Sequence, residues 1–302
     1  MNDNKIIVKI SEGLGNQLFM YANAYCLAQK YNLDLFIDAK SGYYNEKHIY
    51  PFILDNFSIS SNYAKEYEIF NSATKNIFKK ILIFSDRFKK NKRFFFENKD
   101  NNKKSIFLPL ILDSRSPSVY IDGNFESEKY FIDYKDQILS EFKIINSHKF
   151  HNHYYKLIKN NNVVAISIRQ NRYSERVKNY NSTYGINKSI KFVNDTVEYI
   201  NNAIEYITPK ILDPIFLVWS NDFTNLDKYF PKDKFVFVIN DNNKYLADFY
   251  LLTQCKYHIV GPSTFSWWGA WLSNYNNKIC IRPSNINPSN NSDFWPESWV
   301  SI

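Results

Sequence analysis

The sequence predicts an α/β protein with two doubly wound parallel sheets, and three observations support this fold class. The chain has 302 residues, which exceeds a typical single domain and allows two hydrophobic cores. Near the N-terminus a strand, a glycine-containing loop, a helix and a second strand follow one another, and in the second half short apolar runs alternate with helical stretches. Such alternation is typical of parallel sheets with helices on both faces. We predict an N-terminal domain over residues 1–150 and a C-terminal domain with a tail over residues 151–302.

The N-terminal elements form one βαβ unit. Residues 5–10 (KIIVKI) are a short apolar run, and residues 17–32 place apolar side chains at helical spacing. Residues 33–39 (LDLFIDA) predict the next strand, so the crossover should be right-handed and the sheet parallel. Further along, residues 118–131 predict a strand, a turn and the aromatic start of a helix.

The C-terminal half shows the clearest alternation. Its strand-like runs are residues 163–170, 215–222, 234–240, 256–261 and 278–283. Its helical stretches are residues 191–208, 244–254 and 263–273. The polar residues 146–162 predict an interdomain linker and a short helix. Ligands of such sheets bind beyond the carboxyl ends of the strands, so functional residues are expected there.

Residues 72–102 are rich in Lys and Arg and carry apolar side chains close to helical spacing, among them Ile77, Phe78, Ile81 and Phe88. Two interpretations stay open. The segment is either a solvated surface helix or a basic amphipathic helix that rests on an anionic membrane surface.

Composition narrows the classes of protein and partner. A formal net charge of +8 favours anionic partners such as phosphates, nucleotides or membrane surfaces, and we predict no nucleic-acid partner. Cys26, Cys255 and Cys280 are odd in number and lack metal-ligand spacing, so neither a disulfide framework nor a zinc site is predicted. The N-terminus shows no secretory leader, and the uncharged run 257–277 is broken by Gly, Pro, Ser and Asn. A cytoplasmic location is expected.

The loop "SEGLGNQ" (residues 11–17) joins the first strand to the first helix. Gly13 and Gly15 allow a sharp turn, and a helix that begins there directs its free N–H groups at a nearby anion. Asn16 either contributes to that site or only caps the helix.

Two further strand ends carry charged side chains. "AISIRQNRYSER" (165–176) delivers Arg169, then Arg172 and Arg176, after a hydrophobic run. An arginine fork suits a diphosphate, although a strand-end arginine is also common on protein surfaces. Asp222 follows the strand in "LVWSNDF", where its carboxylate can accept hydrogen bonds from a guanine or cap the next element.

The stretch "VGPSTFSWWGAWLS" (260–273) predicts a helix that begins at Ser263 and Thr264. Their hydroxyls and the first free amides form a plausible phosphate cradle. Trp267, Trp268 and Trp271 cover more than one helical face, which favours packing in a core or between domains over a role as a wall of the binding cleft.

Taken together, these stretches resemble the bacterial and animal α-1,2-fucosyltransferases, glycosyltransferase family eleven. The resemblance spans nearly the whole chain and is carried by "GLGNQLFMYANAYCLA", "DGNFESEKYF", "WSNDF", "CKYHIVGPSTFSWWGAWLS" and "FWPESWVSI". It implies a GT-B fold, in which two Rossmann-like domains face each other across a cleft. It also implies GDP-fucose as donor substrate, a carbohydrate hydroxyl as acceptor, inversion to an α-linked product, and no required metal or other cofactor.

The sequence departs from the family in two places. The pattern His-x-Arg-Arg-x-Asp aligns with residues 167–172, where only Arg169 is retained. Glu12 replaces the first glycine of Gly-Gly-Leu-Gly-Asn-Gln and adds a carboxylate beside the glycine loop.

These observations lead to a set of predicted roles. The predicted catalytic residues are Arg169, Asn16 and Glu12. The predicted donor-binding residues are Gly13, Gly15, Arg169, Asp222, Ser263, Thr264 and Phe265. The acceptor proton could pass to Glu12, to Glu175 or to no strong base at all, since a dissociative transition state needs little assistance.

Three function classes follow. The favoured one transfers L-fucose from GDP-fucose to a galactose hydroxyl of a cell-surface glycan, with an α-1,2 linkage. The second uses another GDP-sugar, because the arginine motif is altered. The third is a catalytically silent sugar-binding or nucleotide-binding relative.

Overall fold

The computed structural model describes residues 4–44, 50–112, 118–175, 182–240 and 244–302. The chain divides into two compact units. The first unit comprises residues 1–145 and 289–296, and the second comprises residues 146–288 and 297–302.

The tail segment 289–296 was predicted to belong to the C-terminal domain, but it packs with the first unit. The Asp293 carboxylate accepts a hydrogen bond from the Phe107 amide at 3.0 Å. The Phe294 ring lies 6.2 Å from that of Phe19, between centroids, and is fully buried. A buried aromatic anchor and a backbone hydrogen bond therefore hold this part of the tail.

A parallel sheet in the order β3-β2-β1-β5-β4 forms the centre of the first unit. Its strands are β1 (Lys5–Lys9), β2 (Asp34–Asp38), β3 (Asn62–Tyr63), β4 (Phe94–Phe96) and β5 (Ser118–Asp122). Its helices are α1 (Leu14–Tyr31), α2 (Ala73–Asp86) and α3 (Lys135–Glu141). The predicted βαβ unit is confirmed, whereas the two-residue and three-residue strands β3 and β4 were too short for a periodic signal.

Helix α1 is buried over most of its length. Its first fifteen positions include only one that is not buried, Asn16. The helix ends where Asn32 adopts a left-handed conformation with φ of 52° and donates its backbone N–H to Ala28 and Gln29. This C-cap turns the chain directly into β2.

The second unit contains a six-stranded parallel sheet in the order β11-β10-β9-β6-β7-β8. Its strands are β6 (Val163–Ile168), β7 (Ile215–Ser220), β8 (Phe235–Phe237), β9 (Tyr257–Ile259), β10 (Ile279–Arg282) and β11 (Val300–Ser301). Its helices are α4 (His153–Asn160), α5 (Thr183–Ile207), α6 (Lys244–Thr253) and α7 (Thr264–Leu272). The five predicted strand runs are confirmed. The direction of strand order reverses between β6 and β9, which makes their carboxyl ends a topological switch point.

Helices α5 and α4 of the second unit were both predicted, and α5 begins earlier than expected. Helix α5 begins at Thr183 rather than near residue 191, because the Ser182 side chain caps it by accepting from the Gly185 amide at 3.1 Å. The predicted short helix within 146–162 is present as α4, and it buries Tyr154 and Ile158.

All three cysteines are buried free thiols. Among the described residues, no helix combines the length and the apolar character that crossing a membrane requires.

Candidate functional site

Three strand ends of the second unit bring the donor-binding residues predicted for this unit to one edge of the sheet. Strand β6 lies between β7 and β9, with Ile168 paired to Ser220 and Ile166 paired to Ile259. Arg169 follows β6 directly, Asp222 lies just beyond β7, and the loop to Ser263 follows β9. Because the strands are parallel, these positions share the carboxyl edge where open α/β sheets bind ligands.

The loop after β9 packs tightly against the end of β6. A Cβ atom on Gly261 would lie 2.0 Å from the Ser167 carbonyl oxygen, so only glycine allows this approach. The Arg172 guanidinium donates to the Pro262 carbonyl oxygen at 3.4 Å and to the Pro288 carbonyl oxygen at 2.7 Å. Arg172 therefore positions the loop that leads into α7. Sequence analysis noted Arg172 only as one of three arginines after a strand.

Helix α7 begins at Thr264 with Ser263 as its N-cap, as predicted. The Ser263 hydroxyl accepts from the Ser266 amide at 3.2 Å, and the Ser266 hydroxyl donates to the Gly261 carbonyl oxygen at 2.6 Å. The first amides of a helix have no partner within the helix. Those of Thr264 and Phe265 therefore suit an anion at this edge.

The tryptophans of α7 pack inside the second unit. Trp267 and Trp268 have no exposed surface and Trp271 is 3% exposed, which confirms the packing interpretation. The ring of Trp267 lies 5.0 Å from that of Trp268 and 5.6 Å from that of Trp299, between centroids. These buried ring contacts hold α7 in place and so fix the direction in which its start points.

Arg169 is paired within its own loop. Its Nε donates to the Glu175 Oε1 atom at 3.1 Å, and its Nη2 forms an ion pair with the same carboxylate. The Arg169 side chain is 31% exposed, so it is neither buried nor a freely solvated surface group. An anionic ligand would share this guanidinium with Glu175. Arg176, the third arginine of the motif, lies outside the described residues.

The residues that replace the family motif after Arg169 tie the β6 and β7 loops together. Gln170 donates through Nε2 to the Asp222 carbonyl oxygen at 2.7 Å, and Asn171 donates through Nδ2 to the Asp222 Oδ2 atom at 2.8 Å. The Asp222 Oδ1 atom accepts from the Thr224 amide at 2.9 Å, which closes a local turn. The N-cap position of the following short helix is Asn225, so Asp222 does not occupy it and the helix-cap alternative for Asp222 is wrong. These contacts hold the Asp222 carboxylate in one orientation, and its contact with guanine stays a prediction.

His258, which lies in β9 of the second unit, is a buried residue and is not placed to act as a catalytic base. Burial, with a smaller contribution from the nearby Lys278 ammonium, lowers the pKa of His258 to about 3. The imidazole is therefore neutral at physiological pH, with Nε2 2.9 Å from the Cys255 carbonyl oxygen. Within the part of the chain that the structure describes, no three His, Cys, Asp or Glu side chains converge as metal ligands do.

The glycine loop of the first unit contains an unusual backbone conformation. Glu12 has a φ of 64°, in the left-handed region that favours glycine. The N-cap of α1 is Gly13, and Asn16 is the third residue of the helix, so the cap alternative for Asn16 is wrong. Instead the Asn16 side-chain amide donates to the Glu12 carboxylate. The two predicted catalytic residues of this unit therefore form a hydrogen-bonded pair.

Gln17 holds this loop in place, and sequence analysis missed it. The side chain is fully buried. Its Nε2 donates to the carbonyl oxygens of Glu12 and Pro51 at 2.8 Å each, and its Oε1 accepts from the Ile53 amide at 2.9 Å. The only sequence signal was its place directly after Asn16 in the quoted motif.

Comparisons with known proteins found a matching family model and similar proteins over nearly the whole chain. A family model described as Glycosyl transferase family 11 matches residues 5–302. An alpha-1,2-colitosyltransferase of Escherichia coli is 30% identical over 98% of both chains. The O-antigen biosynthesis glycosyltransferase WbnK of Escherichia coli is 28% identical over 97% of this chain and 99% of that protein.

Among solved structures, a mutant of Arabidopsis thaliana FUT1 in complex with GDP is similar with a TM-score of 0.52. The alignment covers 93% of this chain and 71% of that chain at 14% identity, so it bears on the fold alone. Together with the two parallel α/β units, it confirms the GT-B-like fold class.

Proposed function

We propose a donor, an acceptor and a mechanism from one premise: the chain belongs to glycosyltransferase family 11. It is therefore an enzyme that transfers a sugar. In our proposal it moves L-fucose from GDP-fucose to a galactose hydroxyl, forms an α-1,2 linkage and acts on a cell-surface glycan or its precursor. One observation carries the proposal: Arg169 and the capped start of α7 lie at the same edge of one sheet, where a diphosphate would find both a guanidinium and free amides.

In the proposed reaction, the acceptor oxygen attacks C1 of fucose while the bond from C1 to the β-phosphate oxygen breaks. The electron pair of that bond stays with GDP, and the acceptor hydroxyl loses one proton. Negative charge grows on the departing phosphate as the sugar gains oxocarbenium character. Arg169, Ser263, Thr264 and the first amides of α7 stabilise this charge more in the transition state than in the ground state. Asp222 would bind the guanine.

We assign the acceptor proton to Glu12, which Asn16 orients through its side-chain amide. Because a guanidinium and a helix N-terminus supply the positive charge, the proposed reaction needs no metal or other cofactor. Transfer should accordingly continue in the presence of a chelator such as EDTA.

A second candidate donor is GDP-colitose. Two observations favour it: one relative of high coverage is named an alpha-1,2-colitosyltransferase, and residues 167–172 depart from the motif of the fucosyltransferases. Incubation of the purified enzyme with each GDP-sugar and a galactose-terminated acceptor distinguishes the candidates. Faster product formation from GDP-colitose would replace fucose in the proposal. A catalytically silent protein would release no GDP from either donor.

Loss of Arg169 should have the largest effect on catalysis. Arg169→Ala is expected to lower kcat by on the order of a hundredfold, because it removes one preorganised donor from the developing phosphate charge. Initial rates of GDP release with saturating donor and acceptor measure this effect.

Lys232→Ala provides the matched control, since it removes an exposed cation from the same unit. Its rate should equal that of the parent enzyme. A near-parental rate for Arg169→Ala would show that the diphosphate binds elsewhere.

The cellular location of the enzyme can be proposed from its relatives and from the donor that the reaction uses. One relative is named as an O-antigen biosynthesis enzyme. We propose that this enzyme works in the cytoplasm, where nucleotide sugars are available as donors.

A further inference from the structure

Helix α2 of the first unit and the turn that follows it present five large apolar side chains to solvent. They form an outward stripe close to helical spacing, and each is between 56 and 79% exposed. The outward stripe consists of Ile77, Phe78, Ile81, Phe84 and Phe88. Its aromatic members contact each other, since the rings of Phe84 and Phe88 lie 5.7 Å apart between centroids. A contiguous apolar surface of this kind is uncommon on an isolated soluble protein and indicates an interaction site.

The inner face of α2 is already partnered: Leu82 and Ile83 pack against a buried cluster of the sheet, and the same face carries two charged groups. Lys79 is buried, and its ammonium donates to the Asp122 Oδ2 atom at 2.8 Å. The Asp86 carboxylate accepts from the backbone amides of Arg93 and Phe94 at 2.6 and 3.0 Å. These contacts occupy the inner face, so the outward stripe is a second apolar face of the same helix.

The surroundings of the outward stripe are cationic. Residues 73–93 contain eight Lys or Arg residues and one acidic residue, Asp86, which is buried. The exposed cations of this segment are Lys80, Arg87, Lys89, Lys90, Lys92 and Arg93. The Arg87 guanidinium lies 5.9 Å from the centre of the Phe84 ring, so charge and apolar surface are directly adjacent.

We propose that α2 docks this protein onto an anionic lipid surface. The outward stripe would enter the boundary between headgroups and acyl chains, while the flanking lysines and arginines contact lipid phosphates. Charge complementarity selects this occupant, because an apolar protein partner would need the stripe and gain nothing from six exposed cations. The proposal does not depend on the identity of the sugar donor, since lipid binding requires neither donor nor acceptor.

Sedimentation of the full-length protein with lipid vesicles tests the proposal. We expect the protein to pellet with vesicles of phosphatidylglycerol and phosphatidylcholine at low salt and to remain in solution with vesicles of phosphatidylcholine alone. High salt should weaken the binding, because it screens the attraction between exposed charges.

Two variants separate the apolar and electrostatic contributions. Phe84→Ser combined with Phe88→Ser should lower the partition coefficient at least tenfold, since two aromatic rings no longer enter the interface. Lys89→Ala combined with Lys90→Ala should lower it by more than tenfold, at roughly fivefold for each cation.

Leu212→Ser is the matched control, because this side chain is 78% exposed but belongs to the second unit. Its vesicle binding should equal that of the parent. Equal binding of all variants to anionic vesicles would overturn the proposal. A second result would also overturn it: the parent does not bind vesicles but forms a concentration-dependent dimer in analytical ultracentrifugation, and the Phe84/Phe88 variant does not form that dimer. In that case α2 would bind a second copy of the chain.

Discussion

Helices α7 and α2 begin in the same way but have opposite surroundings. Ser263 and Ser72 are their N-caps, and each serine oxygen accepts from the third helical amide at 3.2 Å. Both helices are rich in large apolar residues. In α7 the side chains of Trp267 and Trp268 are fully buried, whereas in α2 the Phe84 side chain is 60% exposed. Apolar content and a correct cap therefore predict the helix but not which side of it is covered.

The difference lies in how many elements cover each helix. Helix α7 packs closely on α6, since a Cβ on Gly269 would lie 2.8 Å from that of Leu252, and Trp299 covers another face. Helix α2 is covered on one face, by the aromatic cluster of Phe94 and Tyr120. A helix with one covered face leaves its second apolar stripe available to another surface.

Trp268→Ala should have the largest effect on stability and tests the α7 side of the comparison directly. It should lower the free energy of unfolding by about 3–5 kcal/mol, because a fully buried indole leaves a cavity that the packed helices cannot close. Chemical denaturation of the purified variant measures the loss. A stable variant with weakened acceptor binding would instead place this side chain in a binding site.

The two serine caps offer a paired test of what each helix start does. Ser263→Ala and Ser72→Ala should each lower the free energy of unfolding by about 1 kcal/mol, since each loses one cap hydrogen bond. Only Ser263→Ala should also lower the rate of sugar transfer, because only that hydroxyl belongs to the proposed phosphate cradle. Equal transfer rates for both variants would remove Ser263 from the proposed site.

Phe84→Ser should have the smallest effect on stability. We expect the free energy of unfolding to change by less than about 0.5 kcal/mol, because the ring contacts mainly solvent and its neighbour Phe88. Thermal unfolding in the absence of lipid is the measurement. A loss comparable to that of Trp268→Ala would mean that α2 is covered in solution and would end the contrast between the two helices.

Local sequence was sufficient for most regular elements of both units. The runs that became β6, β7, β9 and β10 are short, apolar and bounded by turn residues, and the core side chains of α1 repeat at helical spacing. Strands β3, β4 and β11 were not predicted, because two or three residues carry no period. Likewise, nothing local indicated that residues 289–296 return to the first unit, since that depends on Phe294 reaching a distant pocket.

The candidate site was predictable to the extent that it depends on strand ends. Arg169, Asp222 and Ser263 were identifiable because each follows an apolar run, and the carboxyl ends of parallel strands share an edge. The roles of Arg172 and Gln17 were not, because their partners are backbone carbonyls and amides distant in sequence.

From the sequence alone the fold class was predictable, because it depends on local periodicity, and the resemblance of several motifs identified the family. The strand ends at which we propose that a sugar nucleotide binds were also marked by local apolar runs. Tertiary structure decided that Arg169 pairs with Glu175, that Glu12 adopts a left-handed conformation beside Asn16, and that α2 leaves an apolar stripe exposed to solvent. The physical reason is that burial and pairing depend on which elements come together in space. The residues adjacent in sequence do not specify which distant element will cover a side chain.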